Sequence, residues 1–177
     1  MGRKRKTFRG HKFLVYTVMY SPSGKLIVSA SLDETIRIWD ASTGECVKVL
    51  KGHNSSVYSA VFSPDGNYIA SASGDHTIRI WNALTYDCVK VLEGHNGIVK
   101  SAVYSPDGRY IASSSYDNTI RIWNASTGEC IKVLEGHNDG VTSAVFSPDG
   151  RYIASSSYDN TIRIWEFLTT VEEDIEE

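Results

Sequence analysis

The chain has 177 residues, 41% of them hydrophobic, with a formal net charge of −3 and a pI near 6.0. This composition permits an ordinary core and argues against broad nucleic-acid binding, which generally uses a strongly basic face. No apolar run approaches the roughly 18 residues of a membrane span, and the basic residues 1–6 precede no apolar signal core. We therefore expect a soluble cytoplasmic protein without membrane contact, or a nuclear one if the basic start is an import signal.

The chain repeats itself with a period of 42 residues. Each copy carries one tryptophan, one histidine that directly follows a glycine, and one aspartate at a fixed distance between them. Three residue types locked to one period indicate four copies of one structural unit. These residues are Trp39, Trp81, Trp123 and Trp165; His11, His53, His95 and His137; and Asp33, Asp75, Asp117 and Asp159.

Taken in chain order, one copy predicts four strands. Residues 99–104 alternate with strand period, and residues 105–108 (SPDG) supply a turn that proline and glycine favour. Residues 109–117 predict a second strand, and TIRIW at 119–123 predicts a third, rich in β-branched and aromatic residues. The fourth begins at ECIKVL, after the turn at residues 124–128. We predict an all-β protein whose units are small antiparallel sheets.

The cysteines also follow the period, one in each of three units. A single thiol per unit at equivalent positions does not place two thiols face to face. We interpret them as small strand residues, and we expect no disulfide, metal site or cofactor. They are Cys46, Cys88 and Cys130.

The motifs GH, SPDG (SPSG in the first copy) and S-x-D-x-T-I-R-I-W, once per copy, resemble the WD-repeat (WD40) family of β-propellers. The dipeptide WD itself occurs only at Trp39-Asp40; the other copies have Asn82, Asn124 and Glu166 after tryptophan. The resemblance implies four four-stranded antiparallel blades in residues 1–168. Residues 169–177 are then an acidic C-terminal tail.

The resemblance also gives the repeated histidines and aspartates a structural role. In this family they form a hydrogen-bonded chain with the tryptophan and a serine of the second strand, which implies His53, Asp75, Trp81 and either Ser71 or Ser73 here. The equivalents in the other copies are His11, Asp33 and Trp39; His95, Asp117 and Trp123; and His137, Asp159 and Trp165. Serine, histidine and aspartate are also the residues of a hydrolase triad. Because the set occurs four times without a nucleophile elbow or oxyanion-hole motif, we predict no catalytic residues.

The number of copies predicts a partner. Rings of this family usually have seven or eight blades, and four alone would leave two apolar blade faces in water. We predict a two-fold homodimer with eight blades. Residues 3–9 align with the fourth strand at 45–51, and the last copy has no fourth strand of its own, so residues 3–9 should complete the final blade of the partner chain. The alternative is that the chain is a piece of a longer propeller, which its Met start and unrepeated tail make the less favoured interpretation.

Candidate binding positions are those where the copies differ. Residues 94–124 and 136–166 are identical at 26 of 31 positions, and three of the five differences cluster just before and within the first strand. In the WD40 family this region and the residue before the turn aspartate form a top face that grips peptides and proteins. The alternative is drift where packing is undemanding. The positions are Leu14, Tyr16, Leu32, Ser56, Tyr58, Gly74, Ile98, Lys100, Tyr116, Gly140, Thr142 and Tyr158.

These observations predict a non-catalytic scaffold that binds an unidentified protein or peptide on its top face. Tyrosines and a lysine suit protein recognition because aromatic anchors dominate interface energetics. Two alternatives remain: a structural, recently amplified repeat with no dedicated ligand, and an enzyme that uses the central channel. We expect a second copy of the chain and a protein or peptide as partners, and no nucleic acid.

Overall fold

The computed structural model describes residues 6–167, and within them the protein is all-β, as predicted. No helix in that part of the chain has the length and apolarity needed to cross a membrane. There are fifteen strands: β1 (Val15–Tyr20), β2 (Leu26–Ser31), β3 (Ile36–Asp40), β4 (Cys46–Leu50), β5 (Val57–Phe62), β6 (Tyr68–Ser73), β7 (Ile78–Asn82), β8 (Cys88–Leu92), β9 (Val99–Tyr104), β10 (Tyr110–Ser115), β11 (Ile120–Asn124), β12 (Cys130–Leu134), β13 (Val141–Phe146), β14 (Tyr152–Ser157) and β15 (Ile162–Glu166).

The strands form four antiparallel sheets, one per sequence copy, which we call blades 1 to 4. Blades 1 to 3 have four strands each, and blade 4 has the three strands β13–β15 within the described residues. Each strand pairs with its neighbour in the sequence, because the turns between strands are short. In the SPDG turn of blade 2, for example, Gly66 adopts a φ of 76° and its N–H donates to Ser63 O at 2.9 Å.

Successive blades pack through their first strands. β1 contacts β5, β5 contacts β9, and β9 contacts β13. The second strand of each blade also packs on the first strand of the next, as β2 does on β5. The first strands therefore line the inner side of the array, and the fourth strands lie on its outer side.

The core lies between the blades. Between blades 1 and 2, Ile36, Ile38 and Leu50 pack against Val57 and Trp81. Ile36 and Ile38, from the TIRIW motif, are 1% and 0% exposed. Burying one such side chain stabilises the fold by roughly 1.5–3 kcal/mol. A blade is therefore held chiefly by its neighbours, as the repeat pattern requires.

The two outermost blade faces are apolar and exposed. On blade 4, Ile162 and Ile164 are 78% and 65% exposed, although their counterparts in blades 1 to 3 are buried. On blade 1, Val18 and Tyr20 are 69% and 62% exposed, whereas the equivalent Ala60 and Phe62 of blade 2 are buried. Equivalent positions are therefore core between blades and surface at the ends of the array.

Residues 6–9, the described part of the predicted N-terminal strand, pair with no strand here and lie against blade 1. The Phe8 ring meets Trp39 edge-on with centroids 5.8 Å apart, and Lys6 Nζ donates to Ser42 O. A Cβ on Gly44 would lie 3.0 Å from Lys6 Cδ and 3.8 Å from Phe8 Cε1.

The same arrangement occurs between β8 and blade 3. A Cβ on Gly128, the equivalent of Gly44, would lie 3.1 Å from Leu92 Cδ2 and 3.4 Å from Lys90 Cδ. Residues 6–9 thus contact blade 1 in the same way as β8, the fourth strand of blade 2, contacts blade 3. The rest of the predicted strand, residues 3–5, and the acidic tail at 169–177 lie outside the described residues.

Candidate functional site

A chain of hydrogen bonds joins tryptophan, serine, histidine and aspartate in every blade. In blade 2, Trp81 Nε1 donates to Ser71 Oγ (2.9 Å), which lies 2.8 Å from His53 Nε2, and His53 Nδ1 lies 2.8 Å from Asp75 Oδ2. Because an indole N–H only donates, a neutral imidazole satisfies the chain when serine donates to Nε2 and Nδ1–H donates to the carboxylate. The equivalents are Trp39, Ser29, His11 and Asp33; Trp123, Ser113, His95 and Asp117; and Trp165, Ser155, His137 and Asp159.

The aspartate connects these hydrogen-bonded side chains to the backbone. Asp75 also accepts from Asn54 N at 3.0 Å, and from Thr77 N and Oγ1 at 3.0 and 2.7 Å. Burial alone would raise the pKa of Asp75, but the hydrogen bonds from His53 and Thr77 hold it well below its ordinary value. The ionised carboxylate thus fastens the loop before the first strand to the turn after the second strand, in each blade.

The geometry of these Trp–Ser–His–Asp hydrogen bonds indicates that they stabilise the fold. The Ser71 side chain is fully buried at 0% exposure, and its oxygen is already shared between Trp81 and His53. A nucleophile must reach a substrate, and this hydroxyl has no path to one. Ser73, the other serine that the sequence left open, instead donates to Ser55 O at 3.2 Å.

The predicted top-face positions meet in pairs at the end of the blades that carries these loops and turns. In each blade the residue after the second strand donates its backbone N–H to a carbonyl of the loop before the first strand, at 2.9–3.0 Å. We call this end the top face. The pairs, donor first, are Leu32 and Leu14; Gly74 and Ser56; Tyr116 and Ile98; and Tyr158 and Gly140.

Five of the predicted top-face positions bring side chains of different blades together. The rings of Tyr16 and Tyr58 lie 4.9 Å apart, and Lys100 Nζ lies 3.7 Å from the centroid of the Tyr58 ring. Tyr116 and Tyr158 have ring centroids 5.5 Å apart and hydroxyl oxygens 2.9 Å apart. These five residues are called the tyrosine–lysine cluster below.

Lys100 joins the two halves of the cluster. Its Nζ lies 5.7 Å from the Tyr16 ring and 5.5 Å from the Tyr116 ring, in addition to its contact with Tyr58. Burial lowers the pKa of Lys100. Burial, together with the hydrogen bond to Tyr158, raises the pKa of Tyr116 to about 12. The cluster therefore combines one lysine side chain with the rings and hydroxyls of four tyrosines.

Three other predicted positions have different surroundings. Thr142, the counterpart of Lys100 in blade 4, turns back onto its own blade, where Oγ1 lies 2.9 Å from Ser156 Oγ. Leu14 and Leu32 of blade 1 are 61% and 40% exposed and are joined by the backbone hydrogen bond from Leu32 N to Leu14 O.

Gly140 shows a requirement that comparison of the copies missed. A Cβ at this position would lie 2.9 Å from Tyr116 Cδ1, so glycine is needed to admit the tyrosine of the preceding blade. The sequence displayed this position only as a difference between Ile98 and Gly140. Its dependence on Tyr116 could be seen only once the two blades were placed side by side.

The rest of the described chain offers little other chemistry. The three cysteines are free and exposed. Residues 6–167 contain no group of three or more histidine, cysteine, aspartate or glutamate side chains arranged to hold a metal ion.

Comparison with known proteins agrees with this architecture. Among individual proteins, a segment of 48 residues (27% of the chain) is 40% identical to eukaryotic translation initiation factor 3 subunit I of Aspergillus niger, covering 14% of that protein. A segment of 49 residues (28% of the chain) is 45% identical to THO complex subunit 6 of Arabidopsis thaliana, covering 13% of it. A segment of 43 residues (24% of the chain) is 49% identical to the ribosome biogenesis protein BOP1 homolog of Monosiga brevicollis, covering 5% of it. The chain thus matches only a small part of the length of these relatives.

The family comparison extends over most of the chain. The model of the WD40 family, described as WD domain, G-beta repeat, matches residues 2–40, 44–82, 86–124 and 128–166. These four tandem matches keep the 42-residue period, and each ends with the third strand of a blade, so the last three begin with the fourth strand of the blade before. The chain belongs to the WD40 repeat family.

Proposed function

We propose that this protein is a non-catalytic interaction scaffold that binds a peptide or protein surface on its top face. The observation that carries the proposal is the tyrosine–lysine cluster, in which four blades contribute to one aromatic surface. Tyr16 and Tyr158 are 38% and 56% exposed, so the cluster is open to a partner. Tyrosine supplies a large, rigid contact area with a polar tip, which is why it is frequent in binding hot spots.

Two further observations support a binding role. In the repeated Trp–Ser–His–Asp chains, the histidine and aspartate of each blade are already hydrogen-bonded within the fold. Two of the relatives are named as subunits, of a translation initiation factor and of the THO complex, and by similarity we propose that this chain also works within an assembly. The free, exposed cysteines suit a reducing compartment, in keeping with a cytoplasmic location.

We propose further that two copies close one eight-bladed ring. Between blades 1 and 2, the face that contains Ile36 and Ile38 packs on the face that contains Ala60 and Phe62. Blade 4 exposes the first of these faces, through Ile162 and Ile164, and blade 1 exposes the second, through Val18 and Tyr20. An end-to-end contact between two copies would therefore repeat a junction that the chain already makes internally.

The N-terminal segment supports the same closure. Leu50, at the end of β4, belongs to the core between blades 1 and 2, and Phe8 is its equivalent one period earlier. Phe8 already lies on Trp39 of blade 1, in the position that the fourth strand of a preceding blade would occupy. Blade 4 of the partner is the blade that has three strands in the described residues, so residues 3–9 would complete it.

The top-face proposal is tested by affinity purification from cell extract with the protein as bait. Tyr158→Ala should lose specific partners that the unmodified protein retains. Tyr152→Ala is the matched control, because Tyr152 is also exposed, at 39%, but begins β14 at the opposite end of the blade. Loss of the same partners from both variants, or from neither, would contradict a binding site on the top face.

Ring closure is tested by the mass in solution, measured by light scattering. We expect a mass twice the 19.6 kDa of one chain. A monomer would refute the dimer, and a concentration-dependent series of larger masses would show open end-to-end assembly in place of a closed ring.

A further inference from the structure

Lys100 is the one cation of the tyrosine–lysine cluster, and no other blade has a lysine at the equivalent position. The equivalent residues are Tyr16, Tyr58 and Thr142. From β9 of blade 3, its side chain reaches the rings of Tyr16 in blade 1 and Tyr58 in blade 2. The cluster is thus centred on a single charge that the repeat pattern does not require.

This charge has no acidic partner in the part of the chain that the structure describes. Within residues 6–167, the ion pairs closer than 4.0 Å are those between histidine and aspartate, one in each blade. Even partial burial of an ammonium group removes water from it, which is unfavourable unless an opposite charge compensates for the loss. The faces of the tyrosine rings offset part of this cost, but they accept none of the N–H groups as a carboxylate oxygen would.

The surrounding phenols add hydrogen-bond donors to the charge. Tyr116 and Tyr158 share one hydrogen bond between their hydroxyls, which leaves one of the two O–H groups free to donate. Burial, which lowers the pKa of Lys100, also strengthens its attraction for an anion that displaces the remaining water. An ammonium among aromatic rings, with a free O–H group in the same cluster, is suited to one anionic group carried on an otherwise apolar or aromatic segment.

We infer that the tyrosine–lysine cluster is an anion-recognition site, in which Lys100 takes the side-chain carboxylate of an acidic peptide while the tyrosines pack against its neighbouring residues. This inference rests on the proposed function and specifies the chemistry of its ligand. A peptide fits better than a nucleic acid, because the cluster has one lysine and the chain has a net charge of −3, whereas a nucleic-acid backbone is bound by a broad basic surface. A carboxylate fits better than a phosphate, which is usually bound by several cations together.

The test uses a random-peptide display library selected on the immobilised full-length protein. Enriched peptides are synthesised twice, once as selected and once with Asp→Asn or Glu→Gln at each acidic position. Their dissociation constants are measured by fluorescence anisotropy for the unmodified protein, for Lys100→Thr and for Lys132→Thr. Threonine is chosen because Thr142 occupies the same position in blade 4, so the fold already accommodates it. Lys132, an exposed residue of the outer strand β12, is the control for loss of one positive charge.

We expect acidic residues to be enriched in the selected peptides. Both Lys100→Thr and the amide substitution should weaken binding at least about tenfold, the loss expected for a hydrogen bond to a charged group. The two changes together should cost little more than either alone, because they remove the same contact. Lys132→Thr should bind like the unmodified protein, and all three proteins should have the same thermal midpoint.

Three results would overturn the inference. If Lys100→Thr binds the selected peptides unchanged while Tyr158→Ala weakens them, the top face binds peptides but Lys100 does not recognise an anion, and the proposed function stands. If basic peptides are selected and bind Lys100→Thr more tightly, the tyrosines form a site for a cation that Lys100 occupies. If no peptide is enriched, the acidic-peptide site is refuted, whereas binding of a protein surface on the top face is decided separately by the affinity purification with Tyr158→Ala.

Discussion

Replacing Ser113 with alanine should destabilise this protein far more than the loss of one oxygen suggests. Ser113 Oγ accepts from Trp123 Nε1 at 2.8 Å and lies 2.8 Å from His95 Nε2, and the side chain is 0% exposed. Alanine would leave an indole N–H and an imidazole nitrogen without partners at a site closed to water. Blade 3 has a neighbouring blade on both sides, so the site is enclosed as it is inside the array.

The magnitude follows from the two groups left unpaired. Each buried donor or acceptor without a partner costs about 1–3 kcal/mol, so Ser113→Ala should lower the free energy of unfolding by about 2–6 kcal/mol. Ser114→Ala is the matched control: Ser114 is equally buried, but its hydroxyl pairs only with Ser101 Oγ, at 2.7 Å. Alanine already occupies this position as Ala30 and Ala72 in blades 1 and 2, so we expect a loss of about 1 kcal/mol.

The free energies are measured by urea denaturation followed by far-UV circular dichroism, at one protein concentration for all variants. Trp123→Phe combined with Ser113→Ala should lose less than the sum of the single changes, because both remove the same hydrogen bond. If Ser113→Ala is no more destabilising than Ser114→Ala, the hydrogen-bonded chain does not support the blade as argued here.

Three further predictions concern the ends of the array and the buried carboxylates. Ile164→Ala should raise the dissociation constant of the proposed dimer at least about tenfold, since its 65% exposed side chain would be buried at two junctions worth roughly 1–2 kcal/mol each; in sedimentation, an equal effect of Ile131→Ala on the outer strand β12 would contradict this. Phe8→Ala should also weaken the dimer, because the contact with Trp39 places residues 6–9 where they would pair with blade 4 of the partner; an unchanged mass on dilution would count against the strand exchange. Because the pKa of Asp117 is lowered in the folded state, its stabilisation is present above the unfolded value of about 3.9 and lost as the pH falls below it. Urea denaturation across pH 3–7 should show this loss, and Asp117→Asn should show less of it.

The organisation of each blade could be predicted because it depends on contacts near in sequence. Alternation, the SPDG turns and the TIRIW strands fix antiparallel neighbours, and the structure has these strands in this order. The serine of the hydrogen-bonded chain could not be chosen between Ser71 and Ser73, because both lie on the same side of β6. The register decides: Ile69 pairs with Trp81 and Ser71 with Arg79, which puts Ser71 beside the indole and Ser73 near the turn.

The sequence by itself determined the period, the all-β blades and the family, since a pattern repeated four times specifies one local structure four times. Only the tertiary structure decided which residues of different blades meet. Lys100 reaches the rings of Tyr16 and Tyr58, and Gly140 makes room for Tyr116, because the packing angle between sheets brings their inner edges together. That angle results from how the apolar faces of neighbouring blades interlock, and no local alternation encodes it. The same packing leaves Ile164 in solvent at the end of the array while its counterparts are buried between blades.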